Sequence, residues 1–519
     1  MVLEQIKTEW NGAERSEKAQ TRIAVKEDIL LPDGKPDIAR VLQTELSPCV
    51  EESSVENGRL SVSGKIWVDM LYLTEGNPWT VHSMRMQLPM EAYFETECNE
   101  GTPTCVFSAN TEEMRVILRS ARKVNLSAMV EMNAEIVWSP KVSIVSSVEG
   151  PEELQVMETV RSVSQKAAEG REKLIVKEEL PLPEREGNLS ELLWWDAVLC
   201  GKEAQLMTGQ AMVRGELEVY ALYTTEESDT QVHYLRQRVP FSGVIDGEGI
   251  APGMRCELSM SLEKPMLRIG QDEDGELRVL EMEALCECVL RVYEEQEQHW
   301  IRDLYIPSQK TERVMQETEV AGPIRMETMP FHTDGETEIP ENLPDPVQFF
   351  YVSAVPQVDD AFMENGILQV EGFFQTAVYY QTAEESGGVC AFSVQIPFRC
   401  SMNLGMPEDI RLRTGVMVQE ASAAWQGARK LRISIGCQLE LTASETQKVQ
   451  TVQDIHMEPM SGEEMAQIPA MALYIVQPGD TLWDIAKRFN TTADRIAQIN
   501  EMGADEVPEP GRCFVMIKA

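Results

Sequence analysis

Three groups of residues in this sequence have types and spacings that could do chemistry, and each points toward binding or packing. Cys286-Glu287-Cys288 places two thiols two residues apart, on one face if the segment is extended. Holding a metal there would need further soft ligands, and no neighbouring His or Cys cluster supplies them. The five histidines, His82, His233, His299, His332 and His456, are scattered and sit in no nucleophile elbow or His-Glu-x-x-His pattern. Phosphate-cradling and dinucleotide loops are missing too, and carboxylates are too abundant for proximity in sequence to be diagnostic. The third group is the turn Gly479-Asp480-Thr481. Gly479 permits close approach of backbone to a ligand, and Asp480 and Thr481 offer hydrogen-bonding groups beside a helix N-terminus. The chemistry expected is attachment, without catalyst, cofactor or metal.

The elements that must hold this turn read as a small module. Tyr474 to Gln477 is extended and meets the breaker pair Pro478-Gly479. Asp480 or Thr481 then caps a helix whose apolar face is Leu482, Ile485, Ala486 and Phe489. Asn490-Thr491-Thr492 ends that helix and caps a second, with Ala493, Ile496 and Ile499 inward. Pro508, Pro510 and Gly511 turn the chain into a closing strand, Cys513 to Ile517. Trp483 reads as packing. The order strand, helix, helix, strand over residues 472–519, with its Gly-Asp-Thr-Leu turn and Asn500, resembles the LysM domain. That resemblance implies a shallow groove for N-acetylglucosamine glycans such as peptidoglycan, flanked by Gly479, Asp480, Thr481 and Leu482 and by Asn500, Glu501, Met502 and Gly503. Met502 and the acidic pair Asp505-Glu506 make the second loop a poorer sugar platform.

Upstream, the chain repeats itself. Gly64, Gly215 and Gly372 are separated by 151 and 157 residues, and the same offsets relate Tyr72, Tyr223 and Tyr380. They also relate Thr74, Thr225 and Thr382, then Pro89, Pro240 and Pro397, and Pro32, Pro183 and Pro340. Three tandem copies of one domain follow, each long enough to own its core. Alternation runs in register through Leu60 to Tyr72, Ala211 to Tyr223 and Leu368 to Tyr380, which predicts a strand with one buried face. The shared glycine predicts a bulge or bend. Similar alternation returns at Val124 to Val130, Val279 to Val289 and Leu431 to Leu441, beyond turns at Pro103, Pro252 and Pro407. Short helices are expected near Ile38 to Leu42, Leu189 to Leu193 and Pro346 to Phe350. The fold class is mainly β: three β-sandwich-like domains and a small βααβ module. Expected boundaries are a tail at 1–20, copies at 21–165, 170–322 and 330–460, a tether at 461–471 and the module at 472–519.

The segments VKEDILLPDGKPDIARVL and VKEELPLPEREGNLSELL, with MLYLTEG, ALYTTEE and VYYQTAEE, resemble the SPOCS domain of clostridial sporulation and spore-coat proteins. The third copy departs most, opening with IPENLPDPVQFF. The resemblance implies a non-enzymatic adaptor on the mother-cell side of the forespore surface. It implies that the LysM-like module docks onto a basal coat protein, a SpoIVA-like ATPase, with peptidoglycan of the cortex or wall as the competing partner.

Composition bears on both. The 519 residues carry 46 basic and 86 acidic side chains, a net charge of −40, which repels nucleic acid and anionic lipid. The N-terminal MVLEQIKTEWNGAERSEKAQ has no apolar core, so no secretory signal is expected there. No apolar run reaches membrane length; Leu192 to Leu199 is interrupted by Asp196. Eleven cysteines without a Cys-x-x-Cys pair suit a reducing cytoplasm. Cys49 with Cys200, and Cys105 with Cys256, occupy equivalent repeat positions and read as small buried hydrophobes. The acidic, Pro-containing stretch 461–471 is expected to let the last module move partly independently.

Overall fold

A computed structural model describes residues 3–75, 80–98, 103–307, 309–382, 388–408, 410–427, 429–503 and 506–517. Period-two apolar patterning dictates strands almost throughout. The first unit comprises β1 (Glu4–Asn11), β2 (Arg15–Leu30), β3 (Arg40–Glu56), β4 (Arg59–Thr74), β5 (Thr80–Glu95), β6 (Thr104–Ser120), β7 (Lys123–Trp138) and β8 (Lys141–Glu149). The second holds β9 (Gln155–Pro181), β10 (Leu189–Met207), β11 (Gln210–Thr225), β12 (Ser228–Asp246), β13 (Arg255–Gly270) and β14 (Val279–Tyr305). The third holds β15 (Gln309–Glu338), β16 (Pro346–Glu364), β17 (Ile367–Thr382), β18 (Val389–Asn403), β19 (Ile410–Trp425) and β20 (Lys430–Pro459). The C-terminal module follows as α1 (Gly462–Gln467), β21 (Met471–Ile475), α2 (Leu482–Arg488), α3 (Ala493–Ile499) and β22 (Cys513–Ile517).

Each unit is a sandwich of two antiparallel three-stranded sheets with the same topology. One sheet is β3-β4-β5, β10-β11-β12 or β16-β17-β18; the other is β2-β7-β6, β9-β14-β13 or β15-β20-β19. The alternating residues point inward as their spacing requires. Leu60, Val62, Ile66, Val68, Met70 and Tyr72 pack against Leu126, Val130, Met132 and Ile136 of β7, and the third unit repeats this with Leu368 to Tyr380 against Leu431 to Leu441. Cys286 and Cys288 do share one face of β14, where they are buried among Ala211, Val213 and Leu290.

The repeat glycines face bulges. In the first and third units the partner strand carries an extra residue opposite Gly64 and Gly372, between Val50 and Glu52 and between Val358 and Asp360; in the second the bulge lies beside Gly215, between Leu199 and Gly201. The bulged backbone leans onto the glycine: a Cβ at Gly64 would sit 2.1 Å from the Cys49 carbonyl oxygen, and one at Gly372 2.1 Å from that of Gln357. At Gly215 the Phe241 ring fills the same space.

Several expectations need correction. The three expected helices are instead extended chain: Ile38 and Ala39 lead into β3, and Leu189 and Pro346 open β10 and β16. Bulges at Val41/Gln43, Leu192/Trp194 and Phe349/Tyr351 each insert one residue, and the resulting spacing of three imitates a helical face. The expected tail holds β1 and the first six residues of β2. The expected boundaries at 165–170 and 322–330 fall inside β9 and β15. Those strands, like β14 and β20, run on beyond their sandwiches as two-stranded ribbons, Gln155 to Ala168 against Val292 to Tyr305 and Gln309 to Ala321 against Thr446 to Pro459. In the first unit the ribbon is β1 with β8.

The three units close into a ring. β5 meets β10, where Ser83 Oγ donates to Leu192 O at 3.1 Å; β12 meets β16, where Tyr234 and Phe350 lie 5.8 Å apart; β18 lies against β3. Leu71, Leu222 and Tyr379, which are equivalent by the repeat offsets, share a core at the centre with Trp194, Tyr220 and Phe350. The ribbons make a second shared core in which Trp10 meets Trp300 edge-on at 4.8 Å, with Ile144, Val163, Val320 and Val449. Where ribbons leave sandwiches, Arg413 of the third unit reaches Glu257 of the second at 2.7 Å and Glu14 of the first at 3.6 Å.

Replacing Gly64 by alanine should cost about 2–3 kcal/mol, because the opposing atom is backbone and cannot rotate away. Gly34→Ala, with nothing within 4 Å of the new methyl, should stay within about 0.5 kcal/mol. Urea unfolding of the two variants measures the difference, and equal midpoints would refute the close-approach account.

Candidate functional site

The C-terminal module folds around Tyr474. Its hydroxyl donates to Asp480 Oδ2 at 2.6 Å and accepts from Arg488 Nη1 at 2.8 Å, and its ring lies 5.3 Å from Phe489. Asp480 Oδ2 also accepts from the Gln477 amide at 2.8 Å. Asp480 thus closes the turn and does not cap the helix, and these hydrogen bonds, the tyrosine's foremost, hold its carboxyl below the usual aspartate range. Thr481 is the cap: its Oγ1 accepts from the Asp484 amide at 3.1 Å and donates to Asp484 Oδ2 at 2.7 Å. Gly479 has φ +90°, a left-handed conformation that glycine alone adopts freely, and it is exposed.

The second predicted loop is equally committed to the fold. Asn500 clips the end of α3 to β22: its Oδ1 accepts from the Val515 amide at 2.7 Å, and its Nδ2 donates to Ile496 O and Val515 O at 2.9 Å. Glu501 is exposed with φ +54°, and Met502, like Leu482, packs against the module's core. The Gly503 amide donates to Glu506, which pairs with Arg512. Asp505 lies outside the described residues. Among the eight predicted residues, then, Asp480, Thr481 and Asn500 have their side-chain polar atoms engaged within the module, whereas Gly479, Glu501 and Gly503 stand at exposed turns. Among the described residues no hydrogen bond joins the two loops.

Two features were missed from the sequence. The first is a seat for the module on the ring. Trp483 stands edge-on to Tyr305 at 5.0 Å, and its Nε1 donates to Asp303 Oδ2 at 2.9 Å. Lys487 Nζ reaches both oxygens of Asp303 at 2.8 and 2.9 Å, and Arg313 pairs with the same carboxylate. Burial raises the carboxyl's pKa, but hydrogen bonds from Lys487 and Trp483 outweigh it and hold Asp303 below the usual range. The Tyr305 hydroxyl donates to Thr491 O at 3.0 Å, so a residue of β14 joins the module's core. The supposed tether contains α1, closed by a Ser461–Glu464 capping box and paired through Glu464 to Lys310. The expected independence of the module gives way to this docking.

The second missed feature is the outer face of β21. Met471, Leu473 and Ile475 are 65%, 72% and 57% exposed. Their cross-strand partners are Ile517, Val515 and Cys513, so the face carries no charge. Ala472, Tyr474 and Val476 point the other way into the core. Every residue from Met471 to Val476 is apolar or aromatic, so the sequence could not tell which set faces water.

Two of the five histidines pack inside the sandwiches' strand ends, and His299, His332 and His456 are exposed. His82 and His233 lie against the equivalent tyrosines, Tyr72 and Tyr223, at 5.9 and 5.7 Å. His82 Nδ1 is 2.6 Å from Glu191 of the second unit, which also holds Lys35 at 2.5 Å. Among the described residues no group of three or more His, Cys, Asp or Glu is placed to hold a metal, and no helix is long and apolar enough to cross a membrane.

Residues 474–512 match the LysM domain family, and residues 37–118 and 188–268 match the family described as SipL, SPOCS domain. No curated protein and no solved structure matches the chain. The chain therefore combines SPOCS domains in its first two units with a C-terminal LysM domain. Both are binding or adaptor families rather than catalytic ones, and the SPOCS match associates the chain with sporulation.

Asp303→Ala removes the shared acceptor of Trp483, Lys487 and Arg313 and should weaken seating of the module by about 2–4 kcal/mol. Limited proteolysis between residues 461 and 471 should then accelerate at least tenfold, with Asp303→Asn intermediate; cleavage at the wild-type rate would refute the seating. Since the Asp303 pKa is depressed, its contribution is complete at neutral pH. Acid should release the module only as pH falls through the lower part of the carboxylate range.

Proposed function

We propose that this chain is a non-enzymatic adaptor of spore coat assembly whose LysM domain docks onto a protein of the basal coat layer, a SpoIVA-like ATPase, at the forespore surface in the mother-cell cytoplasm. The observation that carries the reading is the uncharged face of Met471, Leu473 and Ile475, exposed on a folded module whose opposite face is closed by its own core. A contiguous apolar face held in water marks an interaction site for another apolar surface. A glycan site needs hydrogen-bonding groups turned outward, yet Asp480, Thr481 and Asn500 use theirs to hold the module together. The module's tryptophan is engaged by the ring.

The third unit has the strand order and bulge positions of the first two, which supports reading it as a further SPOCS domain. Three fused units and a docking module on one chain raise the effective concentration of whatever each holds, so weak contacts suffice for recruitment. ATP hydrolysis belongs to the partner in this scheme. Peptidoglycan binding is the second reading, favoured by the LysM match and the exposed Gly479 turn.

Leu473→Asp puts a charge in the middle of the face without touching the core. It should reduce retention of a purified SpoIVA-like coat ATPase at least tenfold while leaving the circular dichroism spectrum unchanged. Sedimentation with purified peptidoglycan, run beside it, discriminates the readings. Tight sedimentation of the wild-type chain, unaffected by Leu473→Asp and accompanied by no ATPase binding, would overturn the docking proposal.

A further inference from the structure

Two carboxyl groups reach neighbouring tyrosines where the three units come together, and among the described residues neither has a cation of its own. Glu45 on β3 and Asp196 on β10 occupy equivalent repeat positions in the first and second units, and the third-unit counterpart is Ser353. Each accepts one hydrogen bond from a tyrosine of the third unit: Tyr379 of β17 donates to Glu45 Oε2 at 3.0 Å, and Tyr351 of β16 donates to Asp196 Oδ2 at 3.2 Å. Among the described residues neither carboxyl forms an ion pair. Arg85 of β5 is committed through two hydrogen bonds, 2.7 and 3.1 Å, to Asp69 of β4, and Arg236 of β12 is held by Glu218 of β11 at 2.9 Å. The charged and titratable groups around the pair include Asp69, Arg85, Glu218, Arg236, Tyr220, Tyr234, Tyr351 and Tyr379. Tyr351 stacks on Tyr220 at 4.1 Å, and Tyr379 lies 5.2 Å from Trp194, so the donors are held by the shared core.

Both carboxyls are half-buried, and the tyrosines that hold them lie ring to ring at 6.2 Å, so two like charges would be confined to one small region, which favours keeping a proton. We propose that Glu45 and Asp196 form a proton-dependent seam, which holds the third unit against the first two when a proton is bound and loosens when both carboxyls are charged. Burial, and then the neighbouring Asp196, push Glu45 up to about 7; burial also raises Asp196 and Asp69. The two tyrosines, raised well above their ordinary range by burial and by these acids, stay protonated and remain donors. Because the folded-state pKa of Glu45 is raised, its contribution to closure is complete below the ordinary glutamate value near 4.5. It falls as pH rises and is gone above about 7. Opening the seam hydrates both carboxylates and separates β18 from β3, the contact that closes the ring.

Hydrogen–deuterium exchange on the intact chain tests this, corrected for the intrinsic pH dependence of exchange, with β21 and β22 as internal reference. Between pH 6 and pH 8 the protection of β3 and β17 should fall about tenfold relative to the reference. Glu45→Gln keeps an acceptor for Tyr379 and cannot ionise; its seam should change less than twofold over the same range and stay closed at pH 8. Asp196→Asn, which removes the like charge, should flatten the profile as well and serves alone if Glu45→Gln fails to fold. A wild-type seam whose protection tracks the reference, or a tenfold change persisting in whichever variants fold, would overturn the proposal.

Discussion

The body of this protein depends on drying one small patch at the ends of three strands. Along most of β4, β11 and β17 only alternate residues are buried, as a one-sided strand requires. In the last few residues the rule changes: Tyr72, Tyr223 and Tyr380 point into their own sandwiches, while Leu71, Leu222 and Tyr379 point the opposite way. A strand end apolar on both faces must be covered on both. No unit can do this alone, because its second sheet covers only one face. The three units therefore have to meet, and the seams, ribbons and polar contacts around them follow from that meeting.

Electrostatics shape how the meeting is held. A chain of net charge −40 repels itself, and most of its surface ion pairs contribute little. The pairs that matter are those linking parts distant in sequence. Arg413 joins Glu14 and Glu257, so one guanidinium touches all three units. Asp303 does the same for the last module, gathering Trp483, Lys487 and Arg313 at the foot of a ribbon. Both sites use a single well-coordinated charge where the overall balance of charge would drive the parts apart.

Much of this was legible in the sequence. Period-two alternation and the 151 and 157 offsets correctly place the middle strands, their inward faces and the glycines that face bulges, because backbone geometry enforces them locally. The LysM helices and closing strand follow from capping and breaker residues for the same reason. What was not legible depends on neighbours far away in the chain. MLYL, ALYT and VYYQ carry the two-faced apolar ends, yet an apolar run alone does not reveal which partner covers the second face. Bulges that insert Leu42, Leu193 and Phe350 shift the pattern by one residue, and the shifted spacing imitates a helix where a strand exists. At the candidate site, the turn was placed correctly, but the uniform apolarity of Met471 to Val476 concealed the exposed face. The role of Trp483 needed Asp303 and Tyr305, some 180 residues upstream.

The seam between β18 and β3 has a consequence for how such a chain can change its size. Linear repeat arrays gain or lose a unit at an end with little penalty, since each unit touches only its neighbours in sequence. Here the third unit touches the first, and the interfaces rotate head to tail until they meet. A two-unit chain would leave a strand end uncovered, and a four-unit chain would have no place for the extra sandwich. Duplication within this gene would therefore be counted, not tolerated, and the number three is as much a property of the fold as any strand in it.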